Sequence, residues 1–521
     1  MVNMSDKHFG RLDKRLGWLG KHIEWLDKQL GLLGNRPGSY GKKHAGLIAA
    51  SLALAACAVG PDFKPPVNPP AALVNAHSAE RAPLVTQSPD GLWWQQFDDT
   101  ELNQLVARAL ESNLDLHMAA DRVRAARAAF SGAEFDYAPH VPLTAGYSHA
   151  KEQQPGFGSQ RYDAESYTTG FDASWELDLF GHVRRSVEAA RGDLAAEREG
   201  LQDARITVAA EVARNYFSLR STQQQIQVAH DNIANQQETV RLTSLRYESG
   251  RGNELDVQSS RARLKATEAT LPVLETAQAA AWYRLAVLLG LHPGALDGEL
   301  APHAAPAYAK TLPIGNDGDD VGALLRNRPD VRQAEQQLAA ATARVGIATA
   351  DLFPRVTVTG FVGFLSGDFG HLFSSSTGTD ARAWAIAPTV SWPALDYGSV
   401  RARLRGSRAN ADGALVNYQK TVLTALEETE NAFVGYREQQ SRLKSLLEQA
   451  EASRRAADLA ALQYREGVTD FLTLLDAQRT QLTAESAVAE TEGAVNVSVV
   501  AIYKALGGVG QPRDRPLLVT R

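Results

Sequence analysis

The chain repeats itself, and the length of the repeat restricts what it can become. Tyr247-Glu-Ser-Gly250 returns 217 residues later as Tyr464-Arg-Glu-Gly467. At the same offset Ser174-Trp175 returns as Ser391-Trp392, Gly181 as Gly398, and Leu289-Gly290 as Leu506-Gly507. Pro139 and Pro354, like Asp115 and Asp330, lie 215 residues apart. A length of 521 residues alone suggests about three or four ordinary domains. The repeat overrides that division: two copies of one large unit, at 93–300 and 319–508, fill the chain. Residues 57–92 lead in, 301–318 link the copies, and 509–521 form a tail.

Each copy is expected to run helix, strand pair, very long helix, tight reversal, returning helix. No proline falls between Gly181 and Tyr247. Val187, Leu194, Leu201 and Val208 step by sevens; after one step of four to Val212, sevens resume at Leu219, Ile226, Ile233, Val240 and Tyr247. That is a coiled-coil repeat with one stutter, and as helix it is about 100 Å long. The second copy keeps the phase at Leu404, Ala411, Tyr418 and Ala425, then at Tyr436, Leu443, Ala450, Ala457 and Tyr464. Helical hairpins are expected over 181–290 and 398–507, reversing after Glu248 and Arg465, with Pro272 kinking the first returning helix.

Strands are expected at about 141–149, 167–178, 355–365 and 383–392, with polar loops 150–166 and 366–382 between them. Val141, Leu143, Ala145 and Tyr147 alternate with Pro142, Thr144, Gly146 and Ser148. Tyr167, Thr169, Phe171, Ala173, Trp175 and Leu177 do the same, as do Val356, Val358, Val362 and Phe364, and Trp384, Ile386, Val390 and Trp392. Period two with Tyr147, Tyr167, Trp175, Trp384 and Trp392 near strand ends is the transmembrane β-strand pattern, these five forming an aromatic girdle. A soluble, half-buried sheet shows the same alternation, and Pro388 removes one donor from its strand. Four strands are too few to close a barrel, and open edges do not face lipid. Several chains must then share one barrel, continued by a helical tube: a conduit.

The only cysteine, Cys57, ends Gly41-Lys-Lys-His-Ala-Gly-Leu-Ile-Ala-Ala-Ser-Leu-Ala-Leu-Ala-Ala-Cys57. Residues 41–56 have a basic start, a short apolar run and small residues at the end, the anatomy of a secretory signal. Leu54-Ala55-Ala56-Cys57 looks like a bacterial lipobox, with the Cys57 thiol acylated and Cys57 the first mature residue. Ala58 at the next position agrees with sorting to the outer membrane. One lipid anchors reversibly, so firm attachment needs more chains or an inserted barrel. Upstream, 1–40 carries a short heptad seam, Leu12 to Leu33. An early start codon accounts for it most simply, and a cytoplasmic tail acting on export is the competing account. Processing at Cys57 changes the net charge from -6 to -11, because residues 1–56 carry nine Lys+Arg and four Asp+Glu.

Cys57-Ala-Val-Gly-Pro-Asp-Phe, Trp93-Trp94-Gln-Gln-Phe97-Asp-Asp, Leu324-Leu-Arg-Asn-Arg-Pro-Asp330-Val and Ala350-Asp-Leu-Phe-Pro354 resemble the TolC-like outer-membrane factors, in their NodT-type efflux lipoprotein branch. The resemblance covers about 57–510. It implies a TolC-like fold, mainly α with a transmembrane β part, in which a homotrimer forms a twelve-stranded β-barrel and an α-helical barrel. It implies an outer-membrane location, lipid-anchored, with the helices in the periplasm. The implied partners are a periplasmic adaptor (membrane fusion) protein, an inner-membrane pump of the resistance-nodulation-division class, and outer-membrane lipid. It implies a periplasmic gate at the hairpin ends, carried here by Asp256, Tyr464, Arg465 and Asp476. Thr469 and Thr473 depart from the gate residues of some members, so the links differ, with Arg465 supplying the cation. Adaptor contact falls on the tips at Gly250, Gly252 and Gly467. A Tyr464–Asp256 hydrogen bond is expected to hold neighbouring helices inward.

Other functions fit less well. The net charge of -6 excludes nucleic-acid binding through bulk positive charge. A single cysteine excludes a disulfide framework and a Cys-rich metal site. No HExxH, P-loop or GxSxG is present, so neither an enzyme nor any cofactor beyond the covalent lipid on Cys57 is expected. The outer-membrane duct of a protein or toxin (type I) secretion system is an alternative, because that duct looks alike. A structural periplasmic tether is a more distant one.

Overall fold

The structure is a computed structural model that describes residues 58–66, 92–153, 161–296, 298–300, 328–376, 378 and 380–508. The extension 1–40, the signal 41–56, Cys57, the linker 301–318 and the tail 509–521 lie outside the described residues.

In the first copy α1 (Thr100–Ser112) and α2 (Leu114–Phe135) lead to β1 (Leu143–Gln153) and β2 (Arg161–Leu177). Helix α3 (His182–Glu248) then runs for 67 residues before α4 (Glu254–Glu268) and α5 (Leu271–Leu288) return. In the second copy α6 (Pro329–Ala350) leads to β3 (Arg355–Ser366) and β4 (Arg382–Ser391). The 69-residue α7 (Tyr397–Arg465) and the unbroken α8 (Phe471–Ala505) complete it. The first return breaks at Ala269–Thr270 because Pro272, in the first turn of α5, has no N–H to continue the ladder. At the repeat offset α8 carries Ala489 and stays continuous.

The heptad seam of α3 is buried from Val187 through Leu194, Leu201, Val208 and Val212 to Leu219. Nearer the reversal it gives way. Ile226 and Val240 are only half-buried and Tyr247 is exposed, while Asn232, Gln236, Thr239 and Thr243 are buried instead. Here α3 is flanked by both α4 and α8, so the stripe between them is covered, and of the heptad seam only Ile233 stays buried. Three of the stripe's four polar residues find partners across it, while the Gln236 amide has none. Asn232 donates to Glu485 (3.4 Å), Gln478 donates to Thr239 (3.1 Å), and the Thr243 hydroxyl meets that of Ser260 (3.0 Å).

The four strands form one antiparallel sheet in the order β1-β2-β3-β4. Its register assigns each side chain to a face, since directly opposed residues share one. Leu143 opposes Phe171, Tyr147 opposes Tyr167, Phe171 opposes Val362, Trp175 opposes Val358, and Val362 opposes Trp384. One face is therefore mainly apolar from the Tyr147–Tyr167 pair to the helical end, with Thr169, Ser366 and Arg382 as its polar members there. The other carries Thr144 against Gly170, Ser174 against Thr359, and Thr357 against Thr389. On this small and polar face Phe361 is an exception. Its ring lies over Gly170 and Gly363, where an added Cβ would meet ring carbons at 2.8 and 2.9 Å.

Residues 150–153 and 161–166, expected as loop, are strand, paired out to Gln153 and Arg161. The apolar alternation ends near Tyr147 and Tyr167 but the backbone ladder does not, and Lys151 and Asp163 pair across it at 3.6 Å. Pro388 opposes Val358 on β4, an edge of the chain's own sheet, where the missing donor is tolerated. Strand β1 is the other edge.

The main core forms where the two copies meet. The 3-10 turn Trp93–Phe97 inserts there, with Trp93 stacked on Tyr503 of α8 (5.2 Å between ring centres) and Phe97 against Phe217 of α3 (4.6 Å). Asp99 caps α1 by accepting the Leu102 amide (3.0 Å) and accepts the Tyr216 hydroxyl on its other oxygen (2.6 Å). Burial, then that carboxylate, pushes the Tyr216 hydroxyl pKa up. Aromatic residues near both sequence ends of the described fold thus bind the long helices at mid-length.

Candidate functional site

The two reversals are built alike. Each long helix ends on a glycine in the left-handed region, Gly250 (φ +69°) and Gly467 (φ +77°), where a Cβ is disfavoured. The Arg251 amide returns to the Arg246 carbonyl and the Val468 amide to the Gln463 carbonyl, both at 2.8 Å, closing Schellman-type ends. Gly252 lies beside the Arg246–Tyr247 backbone. The returning helices begin on side-chain caps. Asn253 accepts the Asp256 amide (2.8 Å), and Asp470 accepts both the amide (2.8 Å) and the hydroxyl (2.7 Å) of Thr473. Those bonds from Thr473 hold the Asp470 carboxyl below its usual range. Thr473 thus reinforces the helix cap that Asp470 makes.

Tyr464 is buried with Ala460, Phe471 and Leu474, its ring 5.4 Å from that of Phe471. The guanidinium of Arg246, in the last turn of α3, lies 4.5 Å over the Tyr464 ring. It also donates to the Tyr464 carbonyl at 2.8 Å. This contact ties the end of the first long helix to the end of the second. The expected Tyr464–Asp256 hydrogen bond does not form within the chain. Asp256 sits half-buried in the first turn of α4, while Tyr464 packs by its ring against Phe471 and Arg246. Arg465 is exposed and its Nε reaches only the Ala461 carbonyl, at 3.4 Å, so the cation on Tyr464 is Arg246. Asp476 is exposed on α8 and pairs with Arg479 at 2.6 Å.

At the sheet, Tyr147 and Tyr167 oppose each other across the ladder toward the loops, their rings tilted with centres 4.8 Å apart. Trp175 and Trp392 mark the helical end, donating indole N–H groups to the carbonyls of Tyr137 (3.0 Å) and Leu352 (3.1 Å). Trp384 lies two residues inside the loop end of β4 and is 78% exposed. The packed body begins at Val59. Its amide donates to the Phe180 carbonyl (3.1 Å), and the buried Arg185 donates to the carbonyls of Val59 (3.2 Å) and Gly60 (3.4 Å) and to Asp62 (2.7 Å).

Arg246 and Arg185 are the residues that periodicity and motif did not single out. A signal was present, since each breaks the repeat: at the 217-residue offset they correspond to Gln463 and Ala402. Among the described residues no group of three or more His, Cys, Asp or Glu is arranged to hold a metal, and no helix is long and apolar enough to cross a membrane.

Comparison with known proteins bears on both copies of the repeat. The model of the family described as outer membrane efflux protein matches residues 105–291 and 321–508, one match per copy. Nodulation protein T of Rhizobium leguminosarum bv. viciae is 30% identical over 442 residues, 84% of this chain and 88% of that protein. The probable efflux pump outer membrane protein TtgC of Pseudomonas putida is 31% identical over 470 residues, 89% of this chain and 94% of that protein. The solved outer-membrane channel OprN superposes with a TM-score of 0.82 at 47% identity, covering 88% of this chain and all of that one.

Proposed function

This chain belongs to the outer membrane efflux protein family and has the TolC-like fold, and from that premise we propose that it is the exit duct of a tripartite efflux system. Three copies close a twelve-stranded barrel, each filling a third, and the paired long helices continue it as a tube in the periplasm. The duct is passive, with no catalytic step, and receives small molecules from an inner-membrane pump, of the resistance-nodulation-division class, through a periplasmic adaptor protein. The carrying observation is the sheet: one face is mainly apolar from the Tyr147–Tyr167 pair to the helical end, the other mostly small and polar, and both edges are open. An isolated sheet of that kind is untenable in lipid, and joined edge to edge with its copies it becomes a water-lined pore. The relatives named for efflux favour small-molecule cargo over protein secretion.

An acyl lipid on Cys57 adds a second attachment to the outer membrane. The hairpin tips at Gly250, Gly252 and Gly467 offer the surface for the adaptor, their backbone turns leaving little side chain in the way. Deleting the gene in its host, with pump and adaptor expressed, will lower resistance to some members of a panel of drugs, dyes, metals and aromatic acids. No change against any of them contradicts efflux.

The mouth of the tube is acidic through Asp476, repeated about the threefold axis, but each copy is partly neutralised by Arg479. Like charges gathered around an axis attract cations. Asp476→Ala will therefore reduce blockade of the reconstituted channel by multivalent cations, and Arg479→Ala will strengthen it. Equal blockade in both variants removes Asp476 from the aperture.

A further inference from the structure

The loop between β3 and β4 packs back on the strand ends. It begins with a 3-10 turn, Phe369–His371, capped by Asp368, whose carboxylate accepts the Gly370 amide at 2.8 Å. The Ala381 amide donates to the Ser374 carbonyl (3.0 Å) and the Leu365 amide to the Ala381 carbonyl (2.7 Å), so the loop is laced to the strand ends. Leu372 and Ala381 are buried beneath it. Two rings leave the loop in one direction. Phe369 lies edge-on to Tyr167 (5.5 Å between centres) and Phe373 edge-on to Phe364 (5.3 Å).

The register decides which side this is. Phe364 opposes Thr169, two residues from Tyr167 on the same strand, so Tyr167 and Phe364 both belong to the apolar face. The loop therefore folds toward the outside of the barrel. Phe369 and Phe373 nevertheless remain 67% and 68% exposed, flanked by Asp368 and His371 paired at 2.9 Å and by Asp380 and Arg382 paired at 2.7 Å. An apolar shelf with a polar rim, continuous with a lipid-facing sheet, matches the boundary between acyl chains and headgroups, where aromatic side chains are favoured.

We propose that the β3–β4 loop is a membrane-interface shelf, in which Phe369 and Phe373 enter the outer leaflet and hold the barrel at a fixed depth while leaving its mouth clear. This rests on the assignment of the apolar face to lipid, and the test separates the two. Nitroxide labels are placed singly at Phe369→Cys, Phe373→Cys, Val362→Cys (apolar face) and Ala385→Cys (polar face). The full chain carries Cys57→Ala and is reconstituted in phosphatidylcholine–phosphatidylglycerol vesicles. Collisions with oxygen, enriched in lipid, are compared with those of a water-soluble nickel chelate. Labels at 369 and 373 will favour oxygen, as will 362, while 385 favours nickel.

Nickel access at 369 and 373 with 362 still in lipid overturns the shelf alone. Access to neither probe identifies a second copy as the cover and also overturns it. Nickel access at 362 overturns the membrane face itself. Should a label disturb folding, the pair Phe369→Ala and Phe373→Ala gives an independent reading. It will weaken insertion into vesicles and leave single-channel conductance unchanged, whereas raised conductance marks the loop as a lid.

Discussion

Replacing Arg246 with alanine will open the duct at its periplasmic end, and single-channel conductance in planar bilayers will rise several-fold. The guanidinium makes two contacts that join α3 to α7, one on the Tyr464 ring and one on its carbonyl. A charged hydrogen bond contributes about 1.5–3 kcal/mol and a partly desolvated cation–π contact about 0.5–2. Their loss, about 2–5 kcal/mol per chain, moves a two-state equilibrium by roughly thirtyfold or more. The hydroxyl of Tyr464 has no part in this. Tyr464→Phe will conduct like the parent, and Tyr464→Ala, which loses the ring contact but keeps the carbonyl, will raise conductance less than Arg246→Ala. A large effect of Tyr464→Phe with none of Arg246→Ala returns the lock to the hydroxyl and Asp256.

Substituting Gly363 with alanine will prevent assembly. Its added Cβ would meet the Thr169 carbonyl oxygen and come within 2.5 Å of the Gly170 Cα, so the clash is with backbone and no side chain can yield. Overpacking in a core costs about 1–3 kcal/mol. In lipid the strands must also part, and each unpaired backbone group costs several kcal/mol more. The chain will give no heat-stable oligomer on a mild detergent gel. Gly360→Ala is the control, because its Cβ meets nothing nearer than 3.6 Å. Removing the overlying ring, Phe361→Ala together with Gly363→Ala, will not restore assembly. Recovery by that double variant assigns the defect to the ring.

Both cases show where the amino-acid sequence speaks and where it is silent. Alternation and heptads are properties of burial, so they revealed the strands while one face was apolar and the long helices while one seam was covered. They failed where burial changed character. The tops of β1 and β2 keep their ladder beyond the apolar zone, and Lys151 and Asp163 there read as loop. The lower part of α3 buries Gln236 and Thr239, which no hydrophobic pattern reports. Close strand approach at Gly170 and Gly363 needs the register, which a one-residue slip would change entirely. Arg246 acts across 218 residues, and only its departure from the repeat hinted at it. Tyr247 and Tyr464 look equivalent in sequence, yet one is 47% exposed and the other 7%. The two tips share a backbone form and divide the labour.

The two open edges of the sheet have a genetic consequence. A sheet that cannot close on itself makes every barrel a joint product of several chains; in the three-chain barrel proposed above, one faulty chain spoils the work of two sound ones. In a cell making equal amounts of parent and an edge-competent but blocked variant, only about one barrel in eight would be wholly parental. Such a variant would act dominantly, sensitising the cell despite an intact gene copy. Loss of expression, by contrast, would be recessive.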